Sequence, residues 1–541
     1  MKTTLFRTLL LPAAILGWLA ATAAHAQLSV DWITQYGTGS LDAGLAISVD
    51  TSGRSWVSGN WANNRLFLSR ISASGSVDFT RERNDPDNFI QGDAVALVGN
   101  DTVFTSAFAG LFSTDVVLLR YDTSGILQGP TQFSPGFDDY PDAMAGNATH
   151  LLVAGITNGG LSYPIDAFLS KRDSAGAAVW TKIVATSGND SGGAAAFDST
   201  GNGYIAGYTD ASLSGFTNAG GDDLFIARYN ASGDQTLLKQ FGTTSNESAT
   251  DMKVDSSGNI YLTGTAEGAL GGQVNAGSKD AFVMKLDSNG TVLWTRLLGG
   301  AVEDESYGLG LDAAGNLWIG GYSYSTFGGH TNAGNSDAFV AQYDSAGNLL
   351  GTTWFATSGN STINGVAIGP DGGAYVTGST SGTLSASNAG SADVFVARLT
   401  AIPAAAKFTS WVGSFALSAR DAAADADPDG DGLANAVEYI LGGNPTAPTT
   451  SGRPIATISG GNMTFTFARD DLSETPDVTL TVESGVDLLT WPAVFTVGPD
   501  TATSSPGVSI SENGTAPDTV TVNIPTGTDK AFARLKVTIA R

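Results

Sequence analysis

The chain has 541 residues, 42% hydrophobic and only 14% charged, with 69 Gly and 18 Pro. That apolar share suffices for packed cores and excludes a wholly disordered chain. There are 26 basic against 52 acidic residues, a net charge of -26 that repels nucleic acid and anionic membrane. The absence of Cys excludes disulfides, iron–sulfur ligation and thiol catalysis.

Residues 1–26 read as a secretory signal peptide. Lys2 and Arg7 make a positive start, Leu9 to Ala21 is an apolar run, and Ala24-His25-Ala26 is a small-x-small cleavage site. The other reading, a membrane anchor, needs a longer apolar run than this. No later segment is apolar enough to span a bilayer. The expected protein is therefore secreted or held at the cell surface, the periplasm included, with no transmembrane segment after cleavage. Lacking disulfides, it must be held together by its core, by closure or by metal.

From residue 27 to 402 the chain repeats itself, the feature to seek first. Val254-Asp-Ser-Ser-Gly-Asn-Ile-Tyr-Leu-Thr-Gly264 matches Leu311-Asp-Ala-Ala-Gly-Asn-Leu-Trp-Ile-Gly-Gly321 and Phe197-Asp-Ser-Thr-Gly-Asn-Gly-Tyr-Ile-Ala-Gly207. Gly207, Gly264, Gly321 and Gly378 lie 57 residues apart, and Asp223, Asp280, Asp337 and Asp393 open a second repeated line. Each unit reads as four short strands of alternating apolar residues: Met252 to Val254, Ile260 to Thr263, Ala281 to Leu286 and Val292 to Leu297. Asp-Ser-Asn-Gly at 287–290 is a hairpin turn whose Gly supplies positive φ. Four strands in about 50 residues is the size of a propeller blade, whereas a parallel β-helix uses shorter coils.

Seven third strands can be counted, the early ones at Leu66-Phe-Leu-Ser-Arg70, Val116-Val-Leu-Leu-Arg120 and Ala167-Phe-Leu-Ser-Lys171. The fourth strand is missing after Leu399 but stands alone at Val30 to Tyr36. The N-terminal strand is thus expected to complete the last blade, closing the ring and covering its edges. Asp255 to Gly264 and Asp280 to Gly290 resemble the SBBP-type repeat of exported bacterial β-propellers. The resemblance implies a seven-bladed propeller and no particular activity. Repeats two and three depart from the pattern at Leu97–Ala107 and Ala145–Gly155.

Eight residues before the turn Asp, several repeats place an acid: Asp42, Asp190, Glu247 and Asp304, with Ser361 in the last and Asp138 as the third-repeat counterpart. Two roles suit that position: an acidic ring around the channel mouth that holds a cation, or capping of the turns at each blade entry. The Asn-Ala-Gly loops at 218–220, 275–277, 332–334 and 388–390 repeat as strictly, either as a multivalent rim or as required turns. Trp180, Trp294 and Trp354 recur on the fourth strand, as packing residues or as sugar-stacking platforms. Sialidase-type Asp boxes have one residue fewer between Asp and Gly. There is no Gly-x-Ser-x-Gly or His-Glu-x-x-His motif, so no catalytic residue is assigned. His150 and His330 read as structural.

Residues 403–445 read as a short helical linker around a metal loop. Phe408, Trp411, Phe415 and Leu417 form an apolar cluster, followed by Asp425-Ala-Asp-Pro-Asp-Gly-Asp-Gly432. Counting from Asp427 puts oxygen ligands at loop positions 1, 3 and 5 (Asp427, Asp429, Asp431). Gly432 makes the sharp turn, the Leu433 carbonyl stands at 7, Asn435 at 9 and Glu438 at 12. This EF-hand-type, dockerin-like spacing suits structural Ca²⁺; a plain acidic linker would leave Gly432 and Glu438 unexplained. Leu433 to Leu441 reads as a helix ended by Gly442-Gly443.

Residues 446–541 alternate again at Met463 to Phe467, Val478 to Val482, Val520 to Ile524 and Ala533 to Val537, a small β-sandwich. Asp427 to Leu433, Glu438 to Pro445, Val482 to Ser484, Asp487 to Trp491 and Phe532 to Leu535 resemble a C-terminal module of exported bacterial proteins. The fold expected is thus all-β: a seven-bladed propeller, a calcium loop and a sandwich, in a monomer. The function expected is non-enzymatic binding of an extracellular polysaccharide or surface protein, or scaffolding at the surface. The competing function is an extracellular glycosidase or lyase with its site at the propeller axis.

Overall fold

The computed structural model describes residues 28–539 except 62–64, 84–90, 100, 110–113, 159–163, 328–329, most of 401–419 and short stretches between 449 and 530. The signal-peptide reading and residues 487–489 lie outside the described residues. The chain divides near Asp425 into two compact units, so the acidic loop belongs with the C-terminal unit.

The first unit is all-β. Among the described residues it holds seven four-stranded antiparallel sheets of consecutive strands, except that one takes Ser29–Tyr36 as its fourth strand beside Asp393–Thr400. That orphan strand pairs Val30 with Leu399, Ile33 with Ala397 and Gln35 with Phe395. Gln35 also donates through Nε2 to Asp393 Oδ2 and the Gly382 carbonyl, each at 3.1 Å. Each first strand touches the first strand of the next sheet, and that of the last sheet, Ser361–Ile368, touches Ala43–Val49 of the first. The sheets thus close into a propeller-like ring, and the sheet completed by both ends of the repeat region leaves no unpaired partner for Asp393–Thr400. The two early sheets run Gln91–Val98 to Leu127–Phe133 and Asp139–Gly146 to Ala178–Val184, which fixes the boundaries that the degenerate repeats obscured.

The repeated motif is explained by local hydrogen bonds. Asp255 Oδ1 accepts from the Ser257 and Asn259 amides, while Oδ2 accepts from Asn259 Nδ2 at 2.7 Å and from the Tyr261 hydroxyl at 3.1 Å. Asp198, Asn202 and Tyr204 repeat the arrangement. One carboxylate therefore satisfies the turn and anchors the next strand, which accounts for Asp-x-x-Gly-Asn-x-Tyr. The second turn uses its Gly twice. Gly347 has φ 86°, and a Cβ there would sit 2.9 Å from Trp294 of the preceding sheet. Trp294 Nε1 donates to the Ser345 carbonyl of that turn at 3.3 Å, and Trp180 does the same to Ala231 at 3.2 Å. These tryptophans pack sheet on sheet.

Alternation was expected in every strand, but the second and third strands are buried on both faces. Ile260–Ala266 and Asp280–Leu286 each have six of seven residues buried, whereas Val292–Leu298 is largely open. Each sheet has a neighbour on either side, so its two middle strands are covered on both faces. Phe67, Phe168, Phe225, Phe282, Phe339 and Phe395, at equivalent third-strand positions, are all 0% exposed.

The second unit carries two sheets. One has four strands (Ile455–Ser459, Asn462–Arg469, Asp518–Pro525, Val508–Ser511) and the other three (Ala493–Val497, Val478–Gly485, Phe532–Ile539). All four strands read from the sequence are present. The helix begins two residues later than expected, at Asn435 rather than Leu433, because Leu433 still belongs to the acidic loop, its amide donating a hydrogen bond to Asp431 Oδ1. It ends at Leu441 on Gly442, which is left-handed at φ 65°. Among the described residues, no helix is long and apolar enough to cross a membrane.

Candidate functional site

The first strands that ring the axis each break their ladder. The register shifts between Gly44 and Ala46, Gly92 and Val95, Pro141 and Ala143, Ser191 and Ala194, Ala249 and Asp251, Ser306 and Gly308, and Ile363 and Gly365. A bulge leaves a residue out of the pairing and turns its side chain away from the strand's regular alternation. Leu45, Asp142, Thr250, Tyr307 and Asn364 occupy such positions, and all five line a single axial cavity of about 490 Å³. Further along the same strands Val254, Leu311 and Ile368 line it too, so the cavity has a polar bulge end and an apolar turn end.

Two carboxylates line the cavity among the described residues, and their situations differ. Asp251 is engaged: Lys253 Nζ lies 2.7 and 2.9 Å from its two oxygens, and the Leu309 amide donates to Oδ2 at 2.9 Å. Asp142 is open to the water of the cavity yet surrounded by protein, and that burial pushes its carboxyl up to about 7. No hydrogen bond from the described residues holds it. The remaining polar ring members direct donors to the frame. Thr250 Oγ1 donates to the Ser306 carbonyl at 2.7 Å, Asn364 Nδ2 to the Gly44 carbonyl at 2.8 Å, and the Tyr307 hydroxyl to Glu305.

Asp42, Asp190, Glu247 and Asp304 lie elsewhere. All four are 0% exposed, and none lines the cavity. Each accepts from a residue four positions back: Thr38 for Asp42, Thr186 at 2.7 Å, Thr243 at 2.6 Å and Gly300 at 2.8 Å. These are turn caps. In the third repeat the equivalent is Asp139, not Asp138, accepting from Gly136 at 3.0 Å. The caps also meet the third-strand acid of the preceding sheet. A Cβ on Gly299 would sit 2.5 Å from Asp280 Oδ1 and 2.7 Å from Asp304 Oδ2, so both carboxylates close on a glycine. Burial pushes both carboxyls up, and for Asp280 the neighbouring Asp304 charge adds to it. In the next sheet Ser361 replaces the cap, and His330 Nε2 instead meets Asp337 Oδ2 at 2.8 Å while stacking on Trp354. The Asn-Ala-Gly loops are turns as well: Asn218 Oδ1 accepts from Gly220, and the Ala219 amide donates to Asp223.

In the second unit Asp427, Asp429 and Asp431 each bring an oxygen within 4.8 Å of the others. Gly430 and Gly432 have φ of 74° and 89°, and four amides of the loop donate to Asp427 and Asp431 carboxylates. Asp429 Oδ2 is buried with no hydrogen-bond partner among the described residues, which suits a metal ligand. Asn435 and Glu438 are completely buried on the following helix, and Glu438 is not one of the three converging carboxylates. Arg453 Nη2 lies 2.6 Å from Asp431 Oδ2, so a guanidinium already balances part of the charge. The oxygen set fits a hard divalent cation.

The first unit is thus an all-β ring of repeated sheets around one cavity that is polar at one end and apolar at the other. No known protein-family profile matches the chain. It is similar to regulatory protein FlaEY of Caulobacter vibrioides, with 26% identity over 179 residues, covering 30% of this chain and 19% of FlaEY. The chain thus spans about a fifth of that relative's length. Similar solved structures include YCF48 bound to D1 peptide, with 14% identity, TM-score 0.39, and 70% of this chain and 99% of that chain covered. Sqt1 from Chaetomium thermophilum has 13% identity and TM-score 0.39, with 65% and 84% covered. The quinohemoprotein alcohol dehydrogenase ADHIIG from Pseudomonas putida HK5 has 13% identity and TM-score 0.35, with 70% and 77% covered.

Proposed function

We propose that this is an exported, non-enzymatic binding protein: a seven-bladed β-propeller whose axial cavity receives a group projecting from its ligand, followed by a β-sandwich carrying structural calcium. The observation that carries the reading is the bulge in every first strand, which turns side chains of different chemistry into one cavity. Asp251 is engaged by Lys253, so among the described residues the cavity offers one available carboxyl rather than the acid–base pair that glycoside hydrolysis uses. The convergent Asp427, Asp429 and Asp431 oxygens support calcium, with Glu438 and Asn435 drawn in on binding. An extracellular polysaccharide or a surface protein is the partner.

The test is retention of residues 27–541 on insoluble polysaccharides and cell-wall material, alongside Leu45→Trp, which fills the cavity from a half-buried ring position. Selective retention that Leu45→Trp removes is expected, unaffected by EDTA. Equal retention of both proteins would move the site off the axis. Turnover of any polysaccharide that Asp142→Asn abolishes would replace the binding reading with the enzyme.

A further inference from the structure

We propose that the axial cavity selects a protonated amine borne on an apolar body. The proposal rests on the binding reading above and adds the chemistry of the group received.

At the bulge end the cavity presents acceptors and almost no free donors. Thr250, Asn364 and Tyr307 each direct their hydrogens to the Ser306 carbonyl, the Gly44 carbonyl and the Glu305 carboxylate. What they retain are oxygen lone pairs and the second N–H of Asn364. Ser48 is spent likewise, donating to the Val95 carbonyl at 3.0 Å. Asp142 adds a carboxylate, which only accepts when charged. Among the described residues the one cation lining the cavity, Lys253, is held against both oxygens of Asp251, and the pair is neutral together. Among the described residues this is a ring of acceptors with one uncompensated negative charge, complementary to a group with several donors, no acceptor and a positive charge. An ammonium has three donors and no acceptor. An alcohol would offer one donor, and a carboxylate would meet Asp142 with like charge.

The size and the opposite end exclude a bare ion as the natural occupant. A cavity of about 490 Å³ holds an organic group, and Val254, Leu311, Ile368 and Phe197 line it further down the same strands. These residues are half-buried, so their apolar faces meet the cavity. An ammonium at the Asp142 end therefore leaves its hydrocarbon against Val254 and Ile368, where apolar burial adds to the charge-assisted hydrogen bond.

The experiment is calorimetric titration of the full mature chain at pH 8 with hexylamine, hexanol and hexanoate, three ligands of one chain length and three charge types. Hexylamine is expected to bind at least tenfold more tightly than the other two, and Asp142→Asn to remove that preference while hexanol binding stays unchanged. Thr250→Val, which keeps the charge and loses one acceptor, is expected to weaken hexylamine a few-fold. Equal binding of hexanol and hexylamine, or a preference that survives Asp142→Asn, overturns the cation selectivity and leaves the binding reading standing. Competition of hexylamine by CaCl₂ in the Asp431→Ala chain assigns the ring to a metal instead. If none of the three ligands binds, the selectivity and the cavity as a binding site fall together.

Discussion

Asp142→Asn isolates the electrostatics of the axial cavity. In the folded chain burial moves this carboxyl from 3.8 to about 7. Each pKa unit is worth ~1.4 kcal/mol, so the full shift corresponds to ~4 kcal/mol. The carboxylate meets cavity water, which screens it, and an effect of about 1–2 kcal/mol is the reasonable expectation. The sign follows from linkage. The folded carboxyl holds its proton more tightly than the unfolded one, so its contribution is fully present below 3.8 and is lost as pH rises through about 7. Asn carries no charge at any pH. The variant should therefore match the native chain at pH 4 and exceed it at pH 8 by about 1–2 kcal/mol, a rise of about 1–3 °C in the melting temperature of a ring this large. The assay is thermal unfolding of both proteins across that range. A difference that is the same at pH 4 and pH 8 would refute the reasoning, because an altered hydrogen bond has no reason to follow the titration of Asp142.

Three other outcomes follow from the structure. Asp431→Ala or Glu438→Ala should abolish the stabilisation of the C-terminal unit by 10 mM calcium, which for a site of extracellular strength amounts to ~1.4–2.7 kcal/mol; an unchanged melting shift in both variants would remove the site. Gly347→Ala adds a methyl 2.9 Å from the Trp294 ring at a backbone φ of 86°, and should cost about 1–3 kcal/mol by denaturant unfolding; a neutral result would mean that the turn does not fix the sheet junction. Deleting residues up to Tyr36 strips the fourth strand from Asp393–Thr400 and leaves an open edge. That chain should aggregate or lose its cooperative melt, and a monomer with native stability would show that closure is dispensable.

Much of the ring was legible because the interactions that define it are local. Asp255 needs only Asn259 and Tyr261, four and six residues on, so the motif carries its own explanation. The closing strand was legible too, since one strand was surplus at Val30 and one was lacking after Leu399. Burial on both faces of the middle strands was not, because it depends on the neighbouring sheets and not on the strand itself. In the acidic loop the spacing singled out Asp427, Asp429 and Asp431, whose oxygens converge, but a spacing says nothing of Arg453, which comes from 22 residues away to meet Asp431.

The cavity was missed by three residues. Asp42, Asp190, Glu247 and Asp304 recur at one position because every repeat needs its turn capped, and recurrence drew the reading to them. Three positions later stand Leu45, Gly193, Thr250 and Tyr307, where the repeats disagree. Strict period-two alternation puts residues three apart on opposite faces, but the bulge resets that count, and no period in the sequence announces it. Internal repetition nevertheless held the signal. A position constrained by packing or turn geometry is filled the same way in each copy, since each copy meets the same neighbours. A position that faces the shared axis is released from that constraint, and copies can diverge there without cost to the fold. In a ring built of repeats, the residues most free to carry a function are those at which aligned copies differ inside an otherwise uniform strand, and Asp142 stands at such a place.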